Sequence, residues 1–233
     1  MIDLYHGTST LFLDSILQHG LGGVNPVTEW QLLELSREVY ALSQLHLKET
    51  PLFQNSSFSF KLMTEQSNSG RMNFQHGDTY LSASRQTAAN YAIRKRYGSE
   101  LLTYTLNFLQ ELIRQNVPDL EKEIYQKYYR FWVFLKVNPS PILIRVSGIS
   151  SSILLDEHGN NPDSNIAEIA KIAELSKSFT EEFRDDTLQQ INFRLKESVQ
   201  VNRLKIWLIN VQNHDALFPE YNLYELANTA QTV

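Results

Sequence analysis

The feature that most constrains this chain is a short motif near the N-terminus, followed at a distance by two tyrosines. His6-Gly7-Thr8 lies in the first apolar segment, and Tyr80 and Tyr91 lie in a segment whose pattern predicts a short strand, a turn and a helix. A histidine beside a glycine on a strand, with tyrosines on either side of a strand-to-helix turn, suits a flat slot with one polar wall. Such a slot fits a planar aromatic amide joined to a sugar, and the nicotinamide of NAD is the candidate.

The apolar patterns predict a mixed α+β fold of short strands separated by long helical segments. Strands are expected at residues 2–5, 79–82, 141–149, 204–211 and 220–226. Helices are expected at residues 11–19, 28–48, 87–97, 100–116 and 120–137, and residues 164–199 are expected to be largely helical. Pro51 is interpreted as the end of the second helix, and residues 54–75 as a long polar loop with one strand at 58–62.

Length and composition narrow the class of protein. The 233 residues predict one domain with a helical and loop insertion at about residues 22–78. The formal net charge of −5 argues against a general nucleic-acid coat and leaves a local basic patch open. The absence of Cys excludes disulfides, thiolate zinc sites and a Cys nucleophile. No apolar run has membrane-spanning length and the N-terminus has no leader features, so we expect a cytoplasmic protein, with leaderless secretion left open.

These motifs resemble those of the ADP-ribosyltransferase fold, in the group that uses a His-Tyr-Glu triad and includes poly(ADP-ribose) polymerases and diphtheria toxin. Residues 6–8 are similar to the first motif of that group, and Tyr80 and Tyr91 to its two nicotinamide-stacking tyrosines. The third motif is a glutamate that opens a late strand, and Glu220 is the best match. The resemblance implies a split β-sandwich of two small antiparallel sheets with helical insertions, and NAD as the substrate without a metal.

The resemblance also implies a role for each residue. Glu220 is expected to stabilise the positive charge on the ribose as the bond to nicotinamide breaks, to hold the 2′-hydroxyl and to take a proton from the acceptor. His6 is expected to bind a ribose hydroxyl, the Gly7 backbone to pair with the carboxamide, and the two tyrosines to stack on the ring. The implied catalytic residues are Glu220, His6 and Tyr80, and the implied NAD-binding residues are His6, Gly7, Thr8, Tyr80, Ser82 and Tyr91.

Other interpretations stay open for several of these residues. The histidine and the tyrosines are also compatible with ordinary structural roles. Glu225 and then Glu157 are the next candidates for the carboxylate. The basic run 94–96 either contacts the dinucleotide phosphates or is simply well placed at a helix C-terminus. Ala88 stands where the polymerases often carry a Ser that binds the carboxamide, so that contact must come from elsewhere.

The expected activity is transfer of a single ADP-ribose from NAD to a macromolecular acceptor, with release of nicotinamide. The acidic balance slightly favours a protein acceptor, whereas Arg85 and residues 94–96 keep a nucleic-acid acceptor open. A toxin, an effector or a defence factor would suit such a chain. The alternatives are an NAD glycohydrolase, which uses water as the acceptor, and a catalytically inactive module that binds NAD, ADP-ribose or a protein partner.

Overall fold

The computed structural model describes residues 2–69, 72–175, 180–213 and 219–226. The chain divides into two compact units, the first built from residues 1–24, 78–98 and 140–233 and the second from residues 25–77 and 99–139. Where the sequence predicted one domain, the insertion expected at 22–78 and the helical segment expected at 100–137 together form the second unit.

The elements of both units follow one another along the chain as short strands and longer helices. The strands are β1 (Leu4–Ser9), β2 (Asn68–Ser69), β3 (Met72–Asn73), β4 (Tyr80–Ser82), β5 (Pro141–Val146), β6 (Leu154–Asp156), β7 (Asn192–Leu195), β8 (Leu204–Asn213) and β9 (Glu220–Glu225). The helices are α1 (Leu13–His19), α2 (Pro26–Glu29), α3 (Leu32–His46), α4 (Pro51–Thr64), α5 (Arg85–Arg94), α6 (Glu100–Arg114), α7 (Leu120–Lys127), α8 (Tyr129–Lys136), α9 (Asp163–Leu175) and α10 (Glu181–Thr187).

The first unit is organised around an antiparallel sheet of seven strands in the order β6-β7-β4-β1-β5-β8-β9. The predicted α+β class is confirmed, but where two small sheets were expected the described strands of this unit join into one, and β2 and β3 pair with each other separately. Strands β6, β7 and β4 lie on one side of the contact between β4 and β1, and strands β1, β5, β8 and β9 lie on the other. Between β1 and β4, in the described residues, the register consists of Tyr5 opposite Ser82, so the ladder does not continue to Gly7 and Tyr80.

Each face of the sheet is covered differently because side chains alternate along a strand. One face carries the main apolar core, which includes Leu4, Ile144 and Phe193 and packs against Ile16 of α1 and Ile169 of α9. The other face is covered near its centre by α5, whose buried positions are small. They are Ala88, Ala89 and Ala92, and they pack with Leu143 and Ile209.

Two local predictions are wrong. Pro51 begins α4 instead of ending α3, because Thr50 caps that helix by accepting a bond from Phe53 N (3.3 Å) and proline fits the first helical position. The loop expected at residues 54–75 is therefore helical up to Thr64. Within the segment expected to be largely helical, 164–199, the structure places α9, α10 and then strand β7, in which buried and partly exposed residues alternate.

The second unit is a helical assembly with its own core. Its helices α3 and α6 are joined by a buried hydrogen bond between Ser36 Oγ and Thr105 Oγ1 (2.7 Å), and Phe60 of α4 packs on Phe108 of α6 with ring centroids 4.8 Å apart. In the part of the chain that the structure describes, no helix has both the length and the apolar character that a membrane crossing requires.

Candidate functional site

The break in the ladder between β1 and β4 leaves backbone groups of β1 that face β4 outside the register. Thr10 N donates to Ser140 O (2.9 Å), so Thr10 and every second residue before it direct their backbone groups toward β5. The residues between them, including Tyr5 and Gly7, direct their N–H and C=O groups toward β4. The next pair of a regular ladder would join Gly7 to Tyr80, but the register ends after Tyr5. We call this break in the ladder, between Gly7 and Tyr80, the β1–β4 gap.

His6 ties the two strands together at this gap. Its Nδ1 donates to the Tyr80 carbonyl oxygen (2.8 Å), so the ring occupies a place where ladder hydrogen bonds would otherwise continue. Burial lowers the pKa of the His6 imidazole below its ordinary value, and the bond to Tyr80 O opposes that shift only in part. The ring is therefore neutral near pH 7 with its proton on Nδ1, and Nε2 is left as a hydrogen-bond acceptor.

The lowered pKa of His6 makes folding stability depend on pH. Between the folded-state pKa and the ordinary value of about 6.5, the unfolded chain binds more protons than the folded chain. The contribution of His6 to folding stability is thus fully present above about pH 6.5. It is lost as the pH falls toward the folded-state pKa of His6. In His6→Asn, whose Nδ2 can still donate to Tyr80 O, this part of the pH dependence should disappear. Chemical denaturation of both proteins across this pH range checks the prediction, and identical pH profiles would contradict it.

Gly7 is required by the helix that lies over it. A Cβ at this position would overlap the Ala88 carbonyl oxygen and lie 2.8 Å from the Ala88 carbonyl carbon and 3.1 Å from Ala92 N. The Gly7 backbone was expected to pair with the carboxamide, but on this face of β1 the close approach is made by the α5 backbone. The edge of Gly7, with its N–H and C=O, is the part that faces the β1–β4 gap.

Tyr91 lies on the flank of α5 that faces β4 and β7. It follows Thr87 by one helical turn, so the two share a flank. Thr87 Oγ1 donates to Gln189 O (3.5 Å), just before β7, whereas Ala89 and Ile93 on the other flank pack toward β5 and β8. Tyr91 is 38% exposed, so its ring is accessible on this side of the helix.

Tyr80 belongs to a polar row on the face that α5 covers. Its cross-strand partner on β7 is Arg194, which bonds Asp78 (Nη1 to Oδ2, 2.9 Å). Burial raises the pKa of the Tyr80 hydroxyl, the nearby carboxylates of Asp78 and Glu157 raise it further, and Arg194 opposes them. The phenol therefore stays protonated at neutral pH, in a surrounding that is mostly negative.

Glu220 does not lie beside this gap. It opens the edge strand β9, which is separated from β1 by β5 and β8, or about 14 Å across the sheet at roughly 4.8 Å per strand. Glu220 pairs with Asn213 at the end of β8, whereas the strand pairings align His6 with Ile206, which lies earlier in β8. Asn213 and Ile206 are roughly 20 Å apart along the strand at about 3.3 Å per residue. Glu225 lies on the same edge strand, where its carboxylate bonds Lys205 (2.7 Å).

The carboxylate that the fold brings toward Tyr80 is Glu157. It follows β6 directly and accepts a bond from Asn192 Nδ2 on β7 (3.2 Å), and Asn192 in turn pairs with Ser82 of β4. Glu157 is exposed and its partner here is a neutral amide, whereas Asp78 is paired with a cation. This geometry favours Glu157 over Glu220 as the carboxylate of the site.

A rigid turn presents Glu157. The Asp156 carboxylate accepts bonds from His158 N (2.9 Å) and Asn160 N (2.7 Å), which fixes the backbone on both sides of Glu157. Gly159, with a φ of +89°, closes the turn against the Arg194 guanidinium. The turn signal was visible in the sequence, but its proximity to Tyr80 depends on the pairing of β6 with β7 and of β7 with β4.

Two of the implied NAD contacts have structural partners instead. The Thr8 side chain is 2% exposed and its hydroxyl donates to Gly98 O (3.0 Å). Ser82 is also buried, and its Oγ accepts a bond from Ser84 N (3.1 Å). Both hydroxyls stabilise the chain around the site, so neither is offered to a ligand.

The candidate basic contacts are exposed or partly exposed. Arg85 forms an ion pair with Glu181 (3.6 Å), and the run at 94–96 lies at the end of α5, where positive charge is favourable.

Comparison of the chain with protein-family models, with curated proteins and with solved structures gives no match.

Proposed function

We propose that this chain is an NAD-dependent ADP-ribosyltransferase that binds nicotinamide at the β1–β4 gap and uses Glu157 as its carboxylate. The observation that carries the proposal is the gap itself: the ladder between β1 and β4 breaks beside Gly7, His6 bonds Tyr80 O across the break (2.8 Å), and α5, which carries Tyr91, lies over Gly7. The resemblance of the motifs that contain these residues adds support from the sequence.

The groups around the gap match the needs of a carboxamide on a flat ring. An amide presents a donor and an acceptor side by side, and the N–H and C=O of Gly7 face the β1–β4 gap as a complementary pair. The tyrosines offer ring faces, and stacking of this kind is worth about 0.5–1.5 kcal/mol beyond burial. His6 Nε2 is an acceptor suited to a ribose hydroxyl.

The charges around the gap match the needs of glycosidic bond cleavage. Loss of nicotinamide leaves positive charge on the ribose, and an anionic group placed beforehand lowers the barrier. Glu157 adds negative charge close enough to Tyr80 to raise the pKa of that phenol. Because Glu157 is exposed, it is also accessible to an incoming acceptor, whose hydroxyl, amine or other nucleophile would give its proton to the carboxylate.

Incubation with NAD labelled on the adenylate part, together with a cell lysate, tests the proposal. Protein, RNA, DNA and free ADP-ribose are then separated and counted. Label on a macromolecule supports transfer and identifies the acceptor class, whereas label on free ADP-ribose alone indicates NAD glycohydrolysis. Intact NAD that nevertheless binds the chain would indicate an inactive binding module, and NAD that neither binds nor reacts would overturn the proposal.

Tyr91→Ala is expected to weaken NAD binding about tenfold, because it removes one ring face from the slot. Tyr91→Phe keeps the ring and should bind nearly as well as the wild type. Tyr129→Ala is the matched control, since that tyrosine is 56% exposed on α8 of the second unit. Isothermal titration with NAD measures all three, and an unchanged affinity in Tyr91→Ala would contradict the stacking role.

A further inference from the structure

A carboxylate from α10 closes the N-terminal end of α5. Asp185 Oδ1 accepts a bond from Arg85 N (2.6 Å), and its Oδ2 accepts bonds from Ser84 Oγ (2.9 Å) and Gln86 N (2.8 Å). Ser84 Oγ accepts a further bond from Thr87 N (3.1 Å). The first amides of a helix have no partner within it, and here a carboxylate and a hydroxyl bind them together. The negative charge also opposes the positive end of the helix dipole.

The other contacts of α5 with the sheet are made mainly by small side chains. The helix packs through Ala88, Ala89 and Ala92, and the backbone contact at Gly7 sets mainly its distance from β1. Small side chains present shallow ridges to the sheet, so a restraint at the end of the helix adds to its positioning. The segment that carries Asp185 supplies that restraint, since its Gln189 O also binds Thr87.

We propose that Asp185 is a positioning residue that keeps Tyr91 over the β1–β4 gap, an inference that rests on the proposed function. Tyr91 lies six residues after Arg85, about 9 Å along the helix at 1.5 Å per residue. A shift or rotation at the start of α5 is thus carried to the ring. Such a displacement matters because the Tyr91 ring can stack on a ligand only from its proper position.

Asp185→Asn, with Asp186→Asn as the matched control, tests this role. Asp186 is the exposed neighbour, and its carboxylate accepts a bond from Gln189 Nε2 (2.9 Å) inside its own segment. In Asp185→Asn the KM for NAD should rise about tenfold, as expected for loss of a charged hydrogen-bond partner. Its kcat should stay within about twofold of wild type, because Glu157 is not displaced. Asp186→Asn should leave both constants unchanged.

Two further measurements separate positioning from general destabilisation. Asp185→Glu keeps the negative charge, so its KM for NAD should rise less than that of Asp185→Asn. A variant that fails to fold could not show this graded effect. Hydrogen exchange at the amides of Arg85, Gln86 and Thr87 should accelerate in Asp185→Asn while amides of β5 and β8 stay protected. Both readouts report on the end of α5 independently of the overall stability.

The outcomes distinguish this inference from the proposed function. If the wild type cleaves NAD and Asp185→Asn shows the wild-type KM, or loses kcat instead, the positioning role is overturned and the proposed function stands. If the wild type neither binds nor cleaves NAD, both fall, and the exchange data would then show only how Asp185 stabilises a helix end. A rise in KM confined to Asp185 variants supports the inference.

Discussion

Glu157→Gln should lower the rate of nicotinamide release from NAD by at least about 100-fold, the usual effect of removing a group that stabilises charge in the transition state. Glutamine has the same shape and its amide oxygen can still accept the bond from Asn192 Nδ2, now at 3.2 Å from Glu157. It lacks the negative charge that opposes the cation forming on the ribose. Nicotinamide release in single-turnover reactions measures the effect, and titration with NAD should show nearly unchanged binding.

The controls for this prediction are the two glutamates on the edge strand. Glu220→Gln and Glu225→Gln should react within about twofold of the wild type, because β9 is separated from β1 by β5 and β8. A wild-type rate in Glu157→Gln would remove this carboxylate from the mechanism. Loss of activity in Glu220→Gln alone would mean that the sheet order is not what decides which carboxylate acts.

The local parts of the site were predictable from the sequence because they depend on neighbouring residues. The strand, turn and helix around Tyr80 and Tyr91 are confirmed, and Ser84 caps α5 by accepting a bond from Thr87 N (3.1 Å). A strand was expected at residues 2–5, and the observed strand begins at Leu4 and runs on to Ser9, so that it includes His6. Capping, alternation and helical periodicity act over a few residues, so a single sequence records them.

The identity of the carboxylate could not be predicted in this way, because it depends on strand order. Glu220 was chosen for its place at the start of a late strand, and the structure does place it there. Which strand lies next to β4 is decided by packing between distant segments, and that neighbour is β7, within a stretch expected to be helical. Because β7 was not recognised as a strand, the pairing that brings Asn192 close to Glu157 could not be predicted.

Pro51 shows how one ambiguous residue alters a larger assignment. Proline is compatible with the end of one helix and with the first turn of the next, and Thr50 just before it decides for the second. Once Pro51 begins α4, the long polar loop becomes part of a helical unit, and the chain has two units. The second unit begins at Asn25, within a loop that contains Gly22, Gly23 and Pro26.

Gly7→Ala should destabilise the first unit by about 3 kcal/mol or more, the range reached when a well-packed core is overfilled. The added Cβ would overlap the Ala88 carbonyl oxygen and lie 2.8 Å from its carbon, and both are backbone atoms that no change of rotamer can move. Relief requires α5 to lift from β1, which would also carry Tyr91 away from the gap. Chemical denaturation followed by near-UV circular dichroism measures the loss, and NAD binding should fall with it.

Gly22→Ala separates this steric effect from the general cost of replacing a glycine. Gly22 has a φ of +80°, yet a Cβ there would meet only side-chain atoms, the nearest being Thr79 Oγ1 at 3.3 Å. We therefore expect the ordinary cost of a left-handed alanine, about 1–2 kcal/mol. If Gly7→Ala cost no more than Gly22→Ala, α5 would not rest on the β1 backbone, and the placement of Tyr91 beside the β1–β4 gap would lose its support. A clearly larger cost at Gly7 means that the glycine of the His-Gly motif is needed to seat the helix that carries the second tyrosine.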